Sequence, residues 1–189
     1  QHKFEVKAKN WMVRAYTTQE NAGDSYIGDA VGSFMNEAYR PSSTVWLPTY
    51  IGTFSEARRA MGLGLAPVQS DISIHNTLRQ ALDYGTINPY SGGAIPGSPR
   101  FLPGTAQFNA TAKQIKSTPV NKAGGAKFLD KSYLWAAETQ VNLSDALRFS
   151  DKVEVTVGVQ WKQWVLNSQG TIFADTLGAI KVNETGGYV

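Results

Sequence analysis

The chain of 189 residues contains no cysteine. That excludes disulfides, thiolate nucleophiles and cysteine-ligated metals within it. Histidine is scarce, with only His2 and His75. No stretch approaches the roughly 20 consecutive apolar residues of a membrane helix. A membrane protein built from these residues would therefore be a β-barrel, because only helices and closed barrels satisfy the backbone in lipid. Charge of one sign is also lacking. The net charge is +3, with basic and acidic residues interspersed. With no basic stripe, nucleic acid is not an expected partner. The chain is 42% hydrophobic and 17% charged, which excludes a disordered polymer.

What is present is alternation. Val153, Val155, Val157, Val159 and Trp161 occupy every second position of one run, separated by Glu154, Thr156, Gly158, Gln160 and Lys162. Strand side chains point alternately to opposite faces, so this is a ribbon with one apolar and one polar face. Four further strands are expected at about 3–8, 11–19, 132–144 and 186–189, with the valine run inside a strand at 152–166. Lys9 and Asn10 turn the first strand into the second. A short turn at about 145–151 joins the third to the fourth. Phe4 and Val6 alternate from the start, and Tyr188 and Val189 read as an opening strand. Both ends therefore suggest a piece of a longer polypeptide.

A long connection, about 20–131, separates the second strand from the third and holds all eight prolines. Two short helices are expected inside it. Thr53 and Glu56 have capping-box spacing before Ala57–Met61, with Gly62 as the stop. Ser70 or Asp71 would cap a helix through Ile74, Leu78, Ala81 and Leu82, ended by Gly85. A second connection runs from 167 to about 185.

The unit of strand, short turn, strand and long connection occurs twice. Short turns thus fall at one end of the sheet and long connections at the other, as in outer-membrane barrels. Residues 153–165, rising roughly 3.3 Å each and tilted by roughly 40°, span somewhat more than the roughly 25 Å apolar band of such barrels. Trp11, Tyr133, Trp135, Trp161 and Trp164 would flank that band as an interfacial girdle. Four or five strands cannot close a barrel, which needs at least roughly eight. The expected class is all-β: part of a transmembrane antiparallel β-barrel, residues 1–189 forming a segment of one domain with a helix-bearing extracellular loop.

Catalytic signals are weak. His75 with Asp71 four residues before it has metal-pair spacing, but a solvated histidine is the simpler expectation. Ser70, Asp71 and His75 lack the strained elbow that a hydrolase serine needs. Gly62-Leu63-Gly64 and Gly92-Gly93 read as turn glycines. Asp24, Asp29 and Glu37 do not match a calcium-loop spacing. No enzyme activity, catalytic residue, metal or cofactor is expected.

Arg14-Ala15-Tyr16-Thr17-Thr18-Gln19-Glu20-Asn21-Ala22-Gly23-Asp24-Ser25-Tyr26 resembles a barrel segment of the TonB-dependent outer-membrane receptors of Bacteroidetes-type bacteria, the SusC-like group. That group often carries an N-terminal carboxypeptidase-regulatory-like domain. Residues 165–175 (Val165-Leu166-Asn167-Ser168-Gln169-Gly170-Thr171-Ile172-Phe173-Ala174-Asp175) are similar to a second segment of it. Ile180-Lys181-Val182-Asn183-Glu184 and Gly187-Tyr188-Val189 continue the likeness. The resemblance implies a plugged barrel of about 22 strands in the bacterial outer membrane. It implies nutrient import driven by the TonB–ExbB–ExbD complex, with a SusD-like surface lipoprotein as a partner of some members. Neither a plug nor a TonB box is recognisable here, so the remaining strands and plug would be partners, with the lipid bilayer.

On this reading Arg14, Tyr16, Glu138, Gln140, Glu154, Gln160 and Lys162 face the lumen and are the candidate ligand-binding residues. Val13, Val141, Val153, Val155, Val157 and Val159 face lipid. The alternatives are a soluble β-rich module that binds a ligand such as sugar or lipid, and a structural subunit of an outer-membrane complex.

Overall fold

A computed structural model describes residues 1–64, 71–147 and 152–189. The chain divides into two compact units. One comprises Gln1–Tyr26, Pro119–Ala123 and Lys127–Val189; the other comprises Ile27–Thr118 and Gly124–Ala126.

The first unit is a five-stranded antiparallel sheet in sequence order. Its strands are β1 (His2–Lys7), β2 (Trp11–Gln19), β3 (Tyr133–Asn142), β4 (Thr156–Leu166) and β5 (Ile180–Tyr188). The β-rich expectation holds for this unit. The sheet is open, and β1 and β5 are its edges. Two strand boundaries differ from expectation. β4 begins at Thr156, so Val153, Glu154 and Val155 precede it. Here the Ser144 hydroxyl accepts from the Val155 amide at 2.8 Å, and Glu154 accepts from the Asn142 amide side chain at 2.5 Å. Those bonds tie the run to the end of β3 and to a one-turn helix, α5 (Ser144–Leu147). β5 begins at Ile180 instead of 186, because Ile180 and Val182 pair with Leu166 and Trp164.

The second unit replaces the expected loop with helices α1 (Gly28–Tyr39), α2 (Leu47–Ala60), α3 (Ile72–Tyr84) and α4 (Ala106–Ser117), and a π-turn at Ser42–Trp46. The connection thus carries four helices, where two short ones are expected. Two apolar cores hold the unit. Met35, Ala112, Ile115 and Ala126 gather Val31, Phe34 and Phe108, and Phe54, Ala57, Ile74 and Leu78 gather Tyr50 and Tyr90. Each set repeats at three- and four-residue spacing, as one helix face requires.

The expected helix starts are corrected too. Pro48 sits in the first turn of α2, where its missing N–H costs nothing. Thr53 and Glu56 are therefore mid-helix, and both accept from the Asn88 amide, at 3.0 and 2.9 Å. Gly62 does end α2, with a positive φ of 69° that suits glycine. Asp71 precedes α3, but its carboxylate pairs with Arg58 and caps no backbone group; Ser70 lies outside the described residues.

Arg40 is the largest of the fully buried side chains. Its guanidinium donates to the carbonyls of Leu82, Gly85 at 2.7 Å and Pro96 at 2.9 Å. The last turn of a helix leaves carbonyls without intrahelical partners. Arg40 satisfies those at the end of α3, and burial pulls its pKa below the ordinary arginine value.

Candidate functional site: the polar face of the sheet

Residues directly opposite one another in antiparallel strands share a face. The register therefore sorts the sheet into rows. On one face Glu5, Arg14, Glu138, Gln160 and Gly186 form a row across all five strands. Arg14 donates through Nη2 to Glu138 Oε1 at 2.5 Å, and its Nη1 lies 3.9 Å from Glu5 Oε2. Lys3 reaches Glu5 at 2.9 Å. Charges thus alternate along the row. The hydrogen bond from Lys3 holds the Glu5 carboxyl below its usual range, with Lys3, Arg14 and Lys7 adding to it. The hydrogen bond to Glu138 raises the Arg14 pKa. Arg14 Nε is buried without a hydrogen-bond partner.

The two flanking rows are also polar. Lys7, Met12, Gln140, Gly158 and Tyr188 form one. The Tyr188 ring lies over Gly158, where a Cβ would collide with it. Its hydroxyl donates across to Gln140 Oε1 at 3.3 Å. Lys3, Tyr16, Ala136, Lys162 and Glu184 form the other, with Lys162 and Glu184 directly opposed. A fourth row, towards the long connections, turns apolar with Leu134, Trp164 and Val182.

Six of the seven expected lumen residues thus share one face: Arg14, Tyr16, Glu138, Gln140, Gln160 and Lys162. Glu154 does not join them, because it precedes β4. Glu5, Tyr188 and Trp164, not among the expected lumen residues, share this face. Trp164, expected in the girdle, is turned to the polar face by its even position in β4. Alternation could have placed all three on this face. Their neighbours follow only from the register.

The opposite face holds Val13, Val141, Val157 and Val159, together with Phe4, Val6, Trp11 and Trp161. Val153 and Val155 do not belong to it as strand residues. On β2 and β3 this apolar face is the more exposed one: Trp11, Val13, Ala15 and Ala137 are exposed, whereas Met12, Arg14, Tyr16 and Glu138 are half-buried and Ala136 is buried. Phe4 is 64% exposed, Val159 57% and Trp11 45%. The side chains of Arg14 and Glu138, by contrast, are 34% and 21% exposed. A water-soluble sheet ordinarily shows the reverse. The hydroxyl of Thr139, in the midst of these apolar rows, donates to the Met12 carbonyl at 3.2 Å.

A second polar cluster lies in the connection between β4 and β5. The Asp175 carboxylate accepts from the amides of Ser168, Gln169 at 2.9 Å and Gly170 at 2.7 Å, and from the Ser168 hydroxyl at 2.6 Å. Gln169 and Gly170 have φ of 54° and 78°, which turns successive amides inward as a nest. Burial pushes the Asp175 pKa up, but these hydrogen bonds outweigh it and hold it at about 2. Every oxygen is engaged, so the cluster fixes the loop.

The other singled-out residues separate. His75 is no solvated histidine: its Nδ1 meets the Tyr50 hydroxyl, and its ring stacks 4.7 Å from Phe54. Asp71 turns to Arg58. Asp24 pairs with Lys127 at 3.1 Å, while Glu37 accepts from the Ser42 amide at 3.0 Å. Among the described residues, no group of three or more His, Asp or Glu side chains is placed to hold a metal.

No protein-family model, curated protein or solved structure matches this chain.

Proposed function

We propose that this chain forms part of the wall of a TonB-dependent transporter in the bacterial outer membrane, importing a nutrient ligand through a plugged β-barrel. The observation that carries the reading is the inverted sheet. Its apolar face is exposed along β2 and at Phe4, Val159 and Trp161, and the Arg14–Glu138 pair on the other face is the more enclosed. Lipid solvates the first arrangement, and an aqueous lumen solvates the second. Thr139 supports it, because a hydroxyl in hydrocarbon needs an internal acceptor. In this reading further strands of the barrel pair with the edges β1 and β5, since an unpaired strand edge is not tolerated in a bilayer.

In this reading Arg14, Glu138, Gln140, Gln160 and Lys162 line the lumen, with Glu5 and Tyr188. They offer a passing ligand alternating donors and acceptors and perform no covalent step. The plug, the remaining strands, the TonB–ExbB–ExbD complex and a SusD-like lipoprotein follow from the family resemblance. The test is membrane fractionation. The protein should sediment with membranes, resist alkaline carbonate and need detergent for extraction. A monodisperse, folded protein in detergent-free buffer would instead favour a soluble binding module.

A further inference from the structure

The connection between β4 and β5 meets Asn121, Lys122 and Leu129 around a polar cavity of about 400 Å³. Its lining belongs wholly to the sheet unit, and its polarity is independent of what solvates the sheet. Ligand pockets run from roughly 300 to 1,000 Å³, so this one suits a small molecule. Its floor is the Asp175 cluster. Gly170 draws that floor tight, since a Cβ there would lie 2.6 Å from Thr176 Cγ2 and 3.1 Å from Asn121 Nδ2.

Three lining side chains carry polar atoms that the loop itself does not use. Asn121 Nδ2 donates to the Gln169 carbonyl at 2.8 Å, which orients the amide and leaves its Oδ1 as an acceptor. Asn167 is held through its backbone. Its carbonyl accepts from the Lys131 amide at 2.8 Å, and its own amide donates to the Ser132 hydroxyl at 3.1 Å. Among the described residues its side-chain amide has no partner, and neither has the Lys122 ammonium. Lys122 sits in a turn closed by its backbone amide on the Pro119 carbonyl at 2.9 Å. A held backbone with an unengaged side chain is a preorganised recognition group.

Charge narrows the ligand. The cavity carries one fixed charge of each sign, Asp175 in the floor and Lys122 in the wall. A simple anion drawn to Lys122 also meets the Asp175 charge, and a simple cation drawn to Asp175 meets Lys122. Like charges brought together oppose binding. A zwitterion answers both. Its carboxylate takes the Lys122 ammonium in a charge-assisted hydrogen bond. Its ammonium donates three hydrogen bonds and takes the amide oxygens of Asn121 and Asn167. Asp175, whose oxygens are filled, acts on it through charge alone. Half-buried Pro119 and Leu129 add an apolar wall.

We propose that this cavity binds a small zwitterion, an α-amino acid with an apolar side chain, with Lys122 on its carboxylate and Asn121 and Asn167 on its ammonium. The test is isothermal titration calorimetry of the full-length protein at neutral pH with L-leucine, N-acetyl-L-leucine and L-leucinamide. Leucine should bind, and each analogue, lacking one charge, should bind about tenfold more weakly. Lys122→Gln should weaken leucine about tenfold and bring it level with leucinamide, and Lys122→Arg should restore the difference. Lys122 is exposed, so an unchanged thermal midpoint should accompany both variants. No heat from any of the three probes would overturn the site. N-acetyl-leucine binding as tightly as leucine would overturn the zwitterion assignment. Leucine affinity unchanged in both Lys122→Gln and Asn167→Leu would put the ligand elsewhere and overturn the proposal.

Discussion

Val159→Arg and Gln160→Arg place the same cation on adjacent residues of β4, one on each face. In water the two should behave alike. Val159 is 57% exposed, so an arginine there would extend into solvent and change stability by no more than about 0.5 kcal/mol. In lipid they diverge. An arginine facing hydrocarbon at mid-depth costs about 2 to 4 kcal/mol, falling to about 0 to 1 near the interface. Val159 lies between Val157 and Trp161 on the apolar face, so the upper range applies. A cost of that size shifts the folding equilibrium roughly 30- to 1,000-fold. Gln160→Arg adds a cation beside Glu138 on the polar face and should stay within about 0.5 kcal/mol. The assay is urea unfolding in phosphatidylcholine vesicles, followed by tryptophan fluorescence. Equal midpoints for the two variants would refute the assignment of the valine face to lipid.

Three further outcomes follow from the packing. Arg40→Met keeps the aliphatic stem but removes the donors to three carbonyls, so the helical unit should lose about 3 to 5 kcal/mol by chemical denaturation; a loss below about 1 kcal/mol would mean that water replaces those donors. Asp175 has a folded-state pKa depressed from 3.8 to about 2, so its contribution is complete above about pH 4 and is lost as pH falls through 2. Thermal stability of the wild type should drop over that window more steeply than that of Asp175→Asn, and parallel curves would contradict the hydrogen-bond account. Gly158→Val forces the Tyr188 ring off β4 and should cost about 1 to 3 kcal/mol, with faster amide exchange along β5; unchanged exchange would mean that the ring is not held there.

The sheet was legible because its signal is local. Val153 to Lys162 alternates without interruption, and alternation needs no knowledge of distant residues. The start of β5 was missed because Lys181, Asn183 and Glu184 weaken the apolar pattern, and Gly186-Gly187 reads as a turn. The helical unit was half legible. α1 carries Gly28 and Gly32, and α4 follows a stretch rich in Gly and Pro, so local propensity points away from both helices. Tertiary packing of Met35, Ala112 and Ile115 overrides it. Thr53 and Glu56 misled because capping-box spacing is also satisfied by residues that share a distant partner, here Asn88. The polar row shows the deeper limit. Arg14 and Glu138 could each be assigned a face, but their contact spans 124 residues of chain and depends on register. Arg40 gave no signal, because one arginine in a polar stretch resembles any solvated one.

Within these 189 residues an introduced cysteine is the only one, which makes the decisive measurement direct once any cysteine elsewhere in the barrel is replaced. Nitroxides placed singly at 157 to 162 of β4 in the membrane-embedded protein would be read for collision with oxygen, which concentrates in lipid, and with a water-soluble nickel chelate. The account requires a two-residue period, with oxygen highest at Val157, Val159 and Trp161 and nickel highest at Gly158, Gln160 and Lys162. Flat profiles, or nickel access at the valines equal to that at Gln160 and Lys162, would contradict it.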